Sequence, residues 1–192
     1  MKKGLLIGFV VLMLAGSVSA GGPYIGIFAD DAHSVCSIAP IPNSEEIYDV
    51  FVMWIWVLPG PNGMQAVEFK LNVPTMMTWE TEYPDPPNGL GEEKNPDISV
   101  QMGSLTGGVS SAFLGCQNGW TWTHKRWYSS RNTTGKSFSV GPTPAPANKF
   151  QVANCLLGNP LEPLTRLNNL HLYQPCVYGT KDATWGAIKS LF

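Results

Sequence analysis

An uninterrupted apolar segment in the first third of the chain reads Val50-Phe51-Val52-Met53-Trp54-Ile55-Trp56-Val57. Successive side chains of a β-strand point to opposite faces of a sheet, so a strand with this sequence is apolar on both faces. Strands of that kind are typical of the centre of a sheet that is covered on both sides. We therefore predict a central strand over residues 47–58.

The next apolar segment follows the turn-forming residues 59–63, Pro-Gly-Pro-Asn-Gly, and has a different pattern. Residues 66–73 alternate strictly between apolar and polar side chains, with Val67, Phe69, Leu71 and Val73 against Glu68, Lys70 and Asn72. This alternation predicts a strand with one buried face and one solvated face.

Short segments of this kind recur along the chain, which has 16 prolines and 20 glycines to separate them. Further strands are predicted at residues 24–28, 98–102, 110–114, 119–127, 137–140 and 150–155. Many short strands with almost no helical periodicity are typical of antiparallel sandwiches and barrels. We expect an all-β fold, an antiparallel β-sandwich in which two sheets enclose one core.

Residues 1–20 have the three parts of a secretory signal peptide. Lys2 and Lys3 precede an apolar run at residues 4–15, and residues 16–20, Gly-Ser-Val-Ser-Ala, end in the small-x-small pattern that signal peptidase cuts. The apolar run is shorter than the roughly 20 residues that span a bilayer. We expect cleavage after Ala20, an extracellular or periplasmic location, and no membrane span in the mature chain.

The rest of the chain has a length typical of a single domain. We assign residues 21–180 to the β-sandwich and residues 181–192 to a C-terminal tail. The apolar side chains of that tail recur at helical spacing, at Trp185, Ile188, Leu191 and Phe192. This spacing predicts a short amphipathic helix or a docking peptide.

All four cysteines lie after the signal, at Cys36, Cys116, Cys155 and Cys176. An even number of cysteines in an exported chain indicates two disulfides, and four cysteines allow three pairings. A bridge between Cys155 and Cys176 closes a short loop. We prefer it, with Cys36–Cys116 as the remaining pair.

Charge and polar residues exclude several function classes. The formal net charge is −2, and after the predicted signal the densest basic run is Lys125-Arg126, so we expect no nucleic-acid partner. The three histidines lie in separate segments, at His33, His124 and His171. We therefore expect no metal, no cofactor and no catalytic site. Residues 80–97 are acidic and rich in proline, which predicts a long surface loop with solvated carboxylates in preference to a calcium site.

Two stretches resemble known bacterial proteins. Residues 48–52, the turn after them and residues 65–74 resemble the opening of cohesin-like and immunoglobulin-like sandwich domains, where a hydrophobic strand precedes a g-x-x-x-F-x-L strand. Residues 184–192 resemble the W-G-x-I-K-x-L-[FY] ending of many small exported bacterial proteins, whose first strand also reads like residues 26–30. The resemblance implies export and a β-sandwich, and it implies no catalytic residue.

Aromatic residues provide the candidate site. Seven tryptophans are present, and three of them lie close together with a tyrosine, at Trp120, Trp122, Trp127 and Tyr128. Aromatic rings stack on sugar rings, and the neighbours of these four are polar, so we predict a ligand-binding hairpin here. Trp54 and Trp56 share one strand face and have apolar neighbours, so we expect them in the core.

These observations favour a non-catalytic exported or cell-surface module that presents a structural or interaction surface. Its partner is a protein or a glycan at the cell surface, and its sheet edges offer strand addition as one mode of contact. The alternative is a carbohydrate-binding module that uses the aromatic hairpin. A secreted enzyme ranks third, because the sequence offers no convergent polar constellation.

Overall fold

The computed structural model describes residues 21–38, 49–74, 92–130 and 135–176. Within these ranges the regular elements are thirteen strands: β1 (Tyr24–Phe28), β2 (Ser37–Ile38), β3 (Asp49–Leu58), β4 (Met64–Asn72), β5 (Glu92–Lys94), β6 (Ile98–Ser104), β7 (Gly108–Gln117), β8 (Thr121–Ser130), β9 (Ser137–Gly141), β10 (Gln151–Ala153), β11 (Leu161–Pro163), β12 (Thr165–Arg166) and β13 (Leu170–Leu172). Among the described residues, no helix has the length and hydropathy needed to cross a membrane. The predicted signal peptide, residues 1–20, and the predicted tail, residues 181–192, lie outside the described residues.

β3 lies at the centre of a five-stranded sheet with the order β12-β1-β3-β8-β5. β1 and β8 flank it, and both pair with it antiparallel. The predicted central position of this strand is confirmed, with bounds at Asp49–Leu58, but cover on both sides is only partial, since Trp54 on the outer side is half-buried. The odd-numbered side chains of β3 from Phe51 to Val57 are buried, and they form part of the core between the sheets.

The surface loop predicted at residues 80–97 needs a correction at its C-terminal end. Glu92–Lys94 forms the edge strand β5, which pairs antiparallel with β8. Its three residues are exposed, its backbone extends the sheet, and the carboxylate of Glu92 also reaches the buried His124. Charged side chains on an edge strand also discourage pairing with other chains. Residues 75–91 lie outside the described residues.

The second sheet follows the order β11-β10-β4-β9-β13-β2, with β7 paired to β4 and β6 paired to β7. β4 connects this sheet, because it pairs with β10, β7 and β9 along its length. The predicted alternation is confirmed: Val67, Phe69 and Leu71 are fully buried, and Asn72 is exposed.

The predicted all-β sandwich is confirmed for the described residues, since the two sheets pack together around one main apolar core. Both sheets supply large side chains to this core, including Ile25, Ile55, Phe69, Phe138 and Leu172. Most strand pairs are antiparallel, as predicted. Two short pairs are parallel, β1 with β12 and β2 with β13.

All four cysteines form disulfides, as expected, but the preferred pairing is wrong. Cys36 bonds to Cys176, and Cys116 bonds to Cys155. The first bond follows from the parallel pairing of β2 with β13, which places Ser37 opposite His171 and Ile38 opposite Leu172. The backbone N–H of His171 donates to the carbonyl of Cys36 at 2.9 Å, so the two segments are already in contact five residues before Cys176.

The second disulfide follows from the position of β4 between β7 and β10. Gln117 of β7 is opposite Met64 at the start of β4. The backbone N–H of Cys155, just after β10, donates to the carbonyl of Asn62 at 3.0 Å. Cys116 and Cys155 therefore meet at the same end of β4. Loop length alone cannot predict this, because the topology and not the sequence separation decides which thiols are close.

Candidate ligand-binding face

One side of the five-stranded sheet points away from the second sheet and carries a cluster of aromatic rings. Alternation along β1 and β3 places Ile27 and Ile55 in the main core and Phe28, Trp54 and Trp56 on the opposite side. We call this side the outer aromatic face. Its members are Phe28, His33, Trp54, Trp56, Glu93, Trp120, Trp122, Lys125 and Trp127.

Strand register aligns four of these residues in one row across the sheet. Phe28 is opposite Trp54, Trp54 is opposite Lys125, and Lys125 is opposite Glu93. Directly opposed side chains interact across a strand pair. The row therefore runs from an aromatic half to a charged half within one face.

Trp54 and Trp56 occupy the same strand face, as predicted, but it is not the face that forms the main core. Trp56 is buried, with 9% of its surface exposed, in a second and smaller apolar cluster that includes Phe28. Trp54 is half-buried and packs against that cluster. The ring centroids of the two tryptophans are 6.4 Å apart.

A β-bulge decides which rings of β8 reach the outer aromatic face. Strict alternation would put Trp122 and Trp127 on opposite faces, since five positions separate them. The register of β3 with β8 shifts between Ile55 and Trp56, and the bulge leaves Thr123 as the extra residue. Its hydroxyl donates to the carbonyl of Ile55 at 3.3 Å. The additional residue turns Trp122 to the same side as Trp127.

Trp120 lies just before β8 and closes one end of the face. Its ring stacks on the imidazole of His33, with centroids 4.6 Å apart, and meets Phe28 edge-on at 6.0 Å. The His33 loop is held by Asp30, whose carboxylate accepts hydrogen bonds from two backbone N–H groups of that loop. Burial lowers the pKa of His33, although the charge of Asp30 opposes this shift.

Lys125 connects the two rings at the other end of the face. Its ammonium lies 4.5 Å from the ring centroid of Trp54 and 4.4 Å from that of Trp127. A carboxylate oxygen of Glu93 is 3.5 Å from the same nitrogen. The rings of Trp54 and Trp122 meet edge to face, with centroids 5.3 Å apart. Trp54, Trp122 and Trp127 are all half-buried, so each keeps part of its surface in solvent.

Tyr128 was predicted with this site, and the structure corrects its placement. The side chain is 1% exposed and belongs to the main core. Its ring centroid lies 4.8 Å from Phe138 and 5.6 Å from Phe51. Burial raises the pKa of the Tyr128 hydroxyl above its usual range. Since adjacent residues of a strand face opposite sides, Tyr128 points inward where Trp127 points outward.

His124 also faces inward, where β8 meets β5 and β6. Its side chain is fully buried and contacts the ring of Phe69. The Nε2 atom lies 3.3 Å from the side-chain oxygen of Gln101 and 3.6 Å from a carboxylate oxygen of Glu92. Burial lowers the pKa of His124 to about 4, and the positive charges of Lys94 and Arg126 add to the shift.

Of the predicted site residues, Trp120, Trp122 and Trp127 lie on the outer aromatic face. Trp54, Lys125 and Glu93 join them, and the sequence analysis missed these three. The predicted hairpin is wrong, because β8 pairs with β3 and β5, whereas the preceding strand β7 pairs with β4 and β6 in the second sheet. Strand alternation alone predicts that Trp127 and Lys125 share one face of β8. The positions of Trp54 and Glu93 beside Lys125 depend on the register of β8 with β3 and β5. In the described ranges, no three His, Cys, Asp or Glu side chains lie close enough together to hold a metal ion.

Comparison of the sequence with protein-family models and with curated proteins finds no match.

Proposed function

We propose that this chain is an exported, non-catalytic interaction module that binds its partner through the outer aromatic face. The observation that carries the proposal is the arrangement of Trp54, Trp122 and Trp127, three half-buried rings on one side of a sheet. Lys125 lies over two of these rings, and the third packs against Trp54. Large aromatic rings contribute much contact area at little conformational cost, which is why they are enriched in binding surfaces. Recognition by contact needs no catalytic step.

Export is supported by two independent features. Residues 1–20 have the pattern of a secretory signal, and all four cysteines form disulfides. Disulfides persist in oxidising compartments and are rare in the cytosol. These features support a location at the cell surface, in the periplasm or in the medium, and the resemblance of residues 48–52 and 65–74 to cohesin-like sandwich domains agrees with it.

Carbohydrate recognition is the second candidate function. It is a more specific form of the first, in which the partner of the interaction module is a glycan. It is favoured by the position of an ammonium and a carboxylate directly beside exposed ring surface, at Lys125 and Glu93. Ring faces attract polarised C–H groups as they attract cations, and sugar hydroxyls need both donors and acceptors. The outer aromatic face offers all three kinds of contact.

The test is binding of the fluorescently labelled chain, purified from an oxidising compartment, to bacterial cells. We expect cell binding that Trp54→Ala and Trp127→Ala reduce and that Leu157→Ser, at a fully exposed apolar side chain away from the face, does not. Periodate treatment of the cells, which cleaves vicinal diols, should abolish binding if the partner is a glycan, and protease treatment should abolish it if the partner is a protein. Binding that survives both tryptophan substitutions would contradict the proposal.

A further inference from the structure

The charges on the outer aromatic face are balanced. Lys125 and Glu93 are opposite one another in the register of β8 with β5, and their charged atoms are 3.5 Å apart. The Lys125 side chain is 21% exposed and the Glu93 side chain is 54% exposed. The more accessible charge at this end of the face is thus the negative one.

This balance selects among ligands by their charge. An anionic sugar that approaches Lys125 also meets the carboxylate of Glu93, which has the same sign of charge as the sugar and is the more exposed member of the pair. A cationic ligand would compete with Lys125, whose ammonium already lies over Trp54 and Trp127. A neutral sugar carries no charge that Lys125 or Glu93 would repel.

The hydrogen-bonding capacity of Lys125 and Glu93 also favours a neutral sugar. An ammonium has three N–H donors and a carboxylate has about four lone-pair sites, so the pair retains donors and acceptors after their mutual contact. Neighbouring hydroxyls of a sugar ring can accept from Lys125 and donate to Glu93 while the ring contacts Trp127. A neutral polyol uses both partners, whereas a carboxylate can use the donor alone.

We propose that the outer aromatic face binds neutral polysaccharides and that Glu93 is the specificity-determining residue that excludes anionic ones. This inference rests on the proposed function, because it names the ligand class of the same face. Lys125 positions the rings of Trp54 and Trp127 and donates to sugar hydroxyls, and Glu93 cancels its charge.

The experiment is affinity electrophoresis of the disulfide-bonded chain in gels that contain one polysaccharide each. Hydroxyethylcellulose, arabinoxylan free of uronic acids and glucomannan are the neutral probes, and polygalacturonate is the anionic probe. For the native chain we expect retardation by at least one neutral probe. The affinity for that probe should be at least about tenfold higher than the affinity for polygalacturonate, and it should change little with added salt. Glu93→Gln should gain binding to polygalacturonate that salt weakens, because Lys125 then carries an uncompensated charge.

Glu68→Gln is the matched control, since Glu68 forms a comparable ion pair with Lys149, at 3.2 Å, on the second sheet. It should leave all affinities unchanged. Tighter binding of the native chain to polygalacturonate than to every neutral probe, or a Glu93→Gln variant with unaltered preference, would overturn the inference and leave carbohydrate recognition standing. Retardation by none of the four probes in either chain would overturn the inference together with carbohydrate recognition.

Discussion

The side-chain amide of Asn168 takes the place of a neighbouring strand beside Ile27. Its Oδ1 atom accepts the backbone N–H of Ile27 at 3.0 Å, and its Nδ2 atom donates to the carbonyl of the same residue at 2.8 Å. Both residues are buried. Gly26 leaves the space for this contact, because a Cβ atom at that position would overlap Oδ1 of Asn168. β1 therefore has a side-chain partner where β12 has already ended.

Asn168→Ala should lower the free energy of unfolding by about 3 kcal/mol, since it leaves a buried N–H and a buried carbonyl without partners. Urea denaturation followed by tryptophan fluorescence measures the change. Asn72→Ala is the control, because Asn72 is exposed and donates to Ser139 at the surface. Its effect should stay within about 0.5 kcal/mol. Equal losses in the two variants would contradict the role given to Asn168.

The disulfide connectivity is directly testable. Proteolysis without reduction, followed by mass spectrometry, should recover peptides that link Cys36 to Cys176 and Cys116 to Cys155. The two bonds span 140 and 39 residues. In the chain-entropy model, the bonds stabilise the folded state by about 5 and about 4 kcal/mol, respectively, because each restricts the unfolded chain. Recovery of a Cys155–Cys176 peptide from folded material would refute the topology at the ends of β2 and β13.

Acid should destabilise the fold through His124. The unfolded chain takes up a proton at the ordinary pKa of 6.5, whereas the folded chain takes it up at about 4. The stability that the neutral, buried form of His124 contributes is therefore fully present above pH 6.5 and is lost as the pH falls from 6.5 to about 4. The loss amounts to about 3 kcal/mol.

Denaturation of the native chain and of His124→Gln at pH 7.5 and pH 4.5 isolates this contribution from the carboxylates. Glu92, Lys94 and Arg126 are the charged groups around His124, and all three are retained in the variant. The native chain should lose more stability than the variant between the two pH values. Parallel losses would show that His124 is not buried in its neutral form.

Neighbouring residues of β8 should separate binding from stability. Trp127→Ala should weaken ligand binding by about tenfold, because it removes an aromatic contact from the outer aromatic face. Tyr128→Phe keeps the core ring and should bind as the native chain does. Titration of both variants with the polysaccharide that retards the native chain measures this. Weakened binding in Tyr128→Phe alone would place the site on the other face.

Most of the strands can be predicted from the sequence because their signals are local. The apolar run at residues 50–57 and the alternation at residues 66–73 determine β3 and β4 without any tertiary information. β2, β11, β12 and β13 escape prediction, because they have only two or three residues each and too little sequence to show a period. β5 escapes because its charged side chains resemble those of a loop.

The candidate site is less predictable, because it depends on register. Trp120, Trp122 and Trp127 are recognisable as aromatic residues among polar neighbours. The bulge at Thr123, which brings Trp122 and Trp127 to one face, has no signal in the sequence. The same limit applies to the disulfides, since Cys116 and Cys155 meet through strands on both sides of β4 and not through a short loop.

The central claim is that the half-buried rings of the outer aromatic face contact a ligand. Nuclear magnetic resonance of the indole N–H groups tests it most directly, during titration with a neutral hexasaccharide prepared from the polysaccharide that retards the chain. The indole resonances of Trp54, Trp122 and Trp127, assigned by substitution, should shift. The ring resonances of Tyr128, which lies in the main core, should not. Indole resonances that stay unchanged at saturating hexasaccharide would contradict the account.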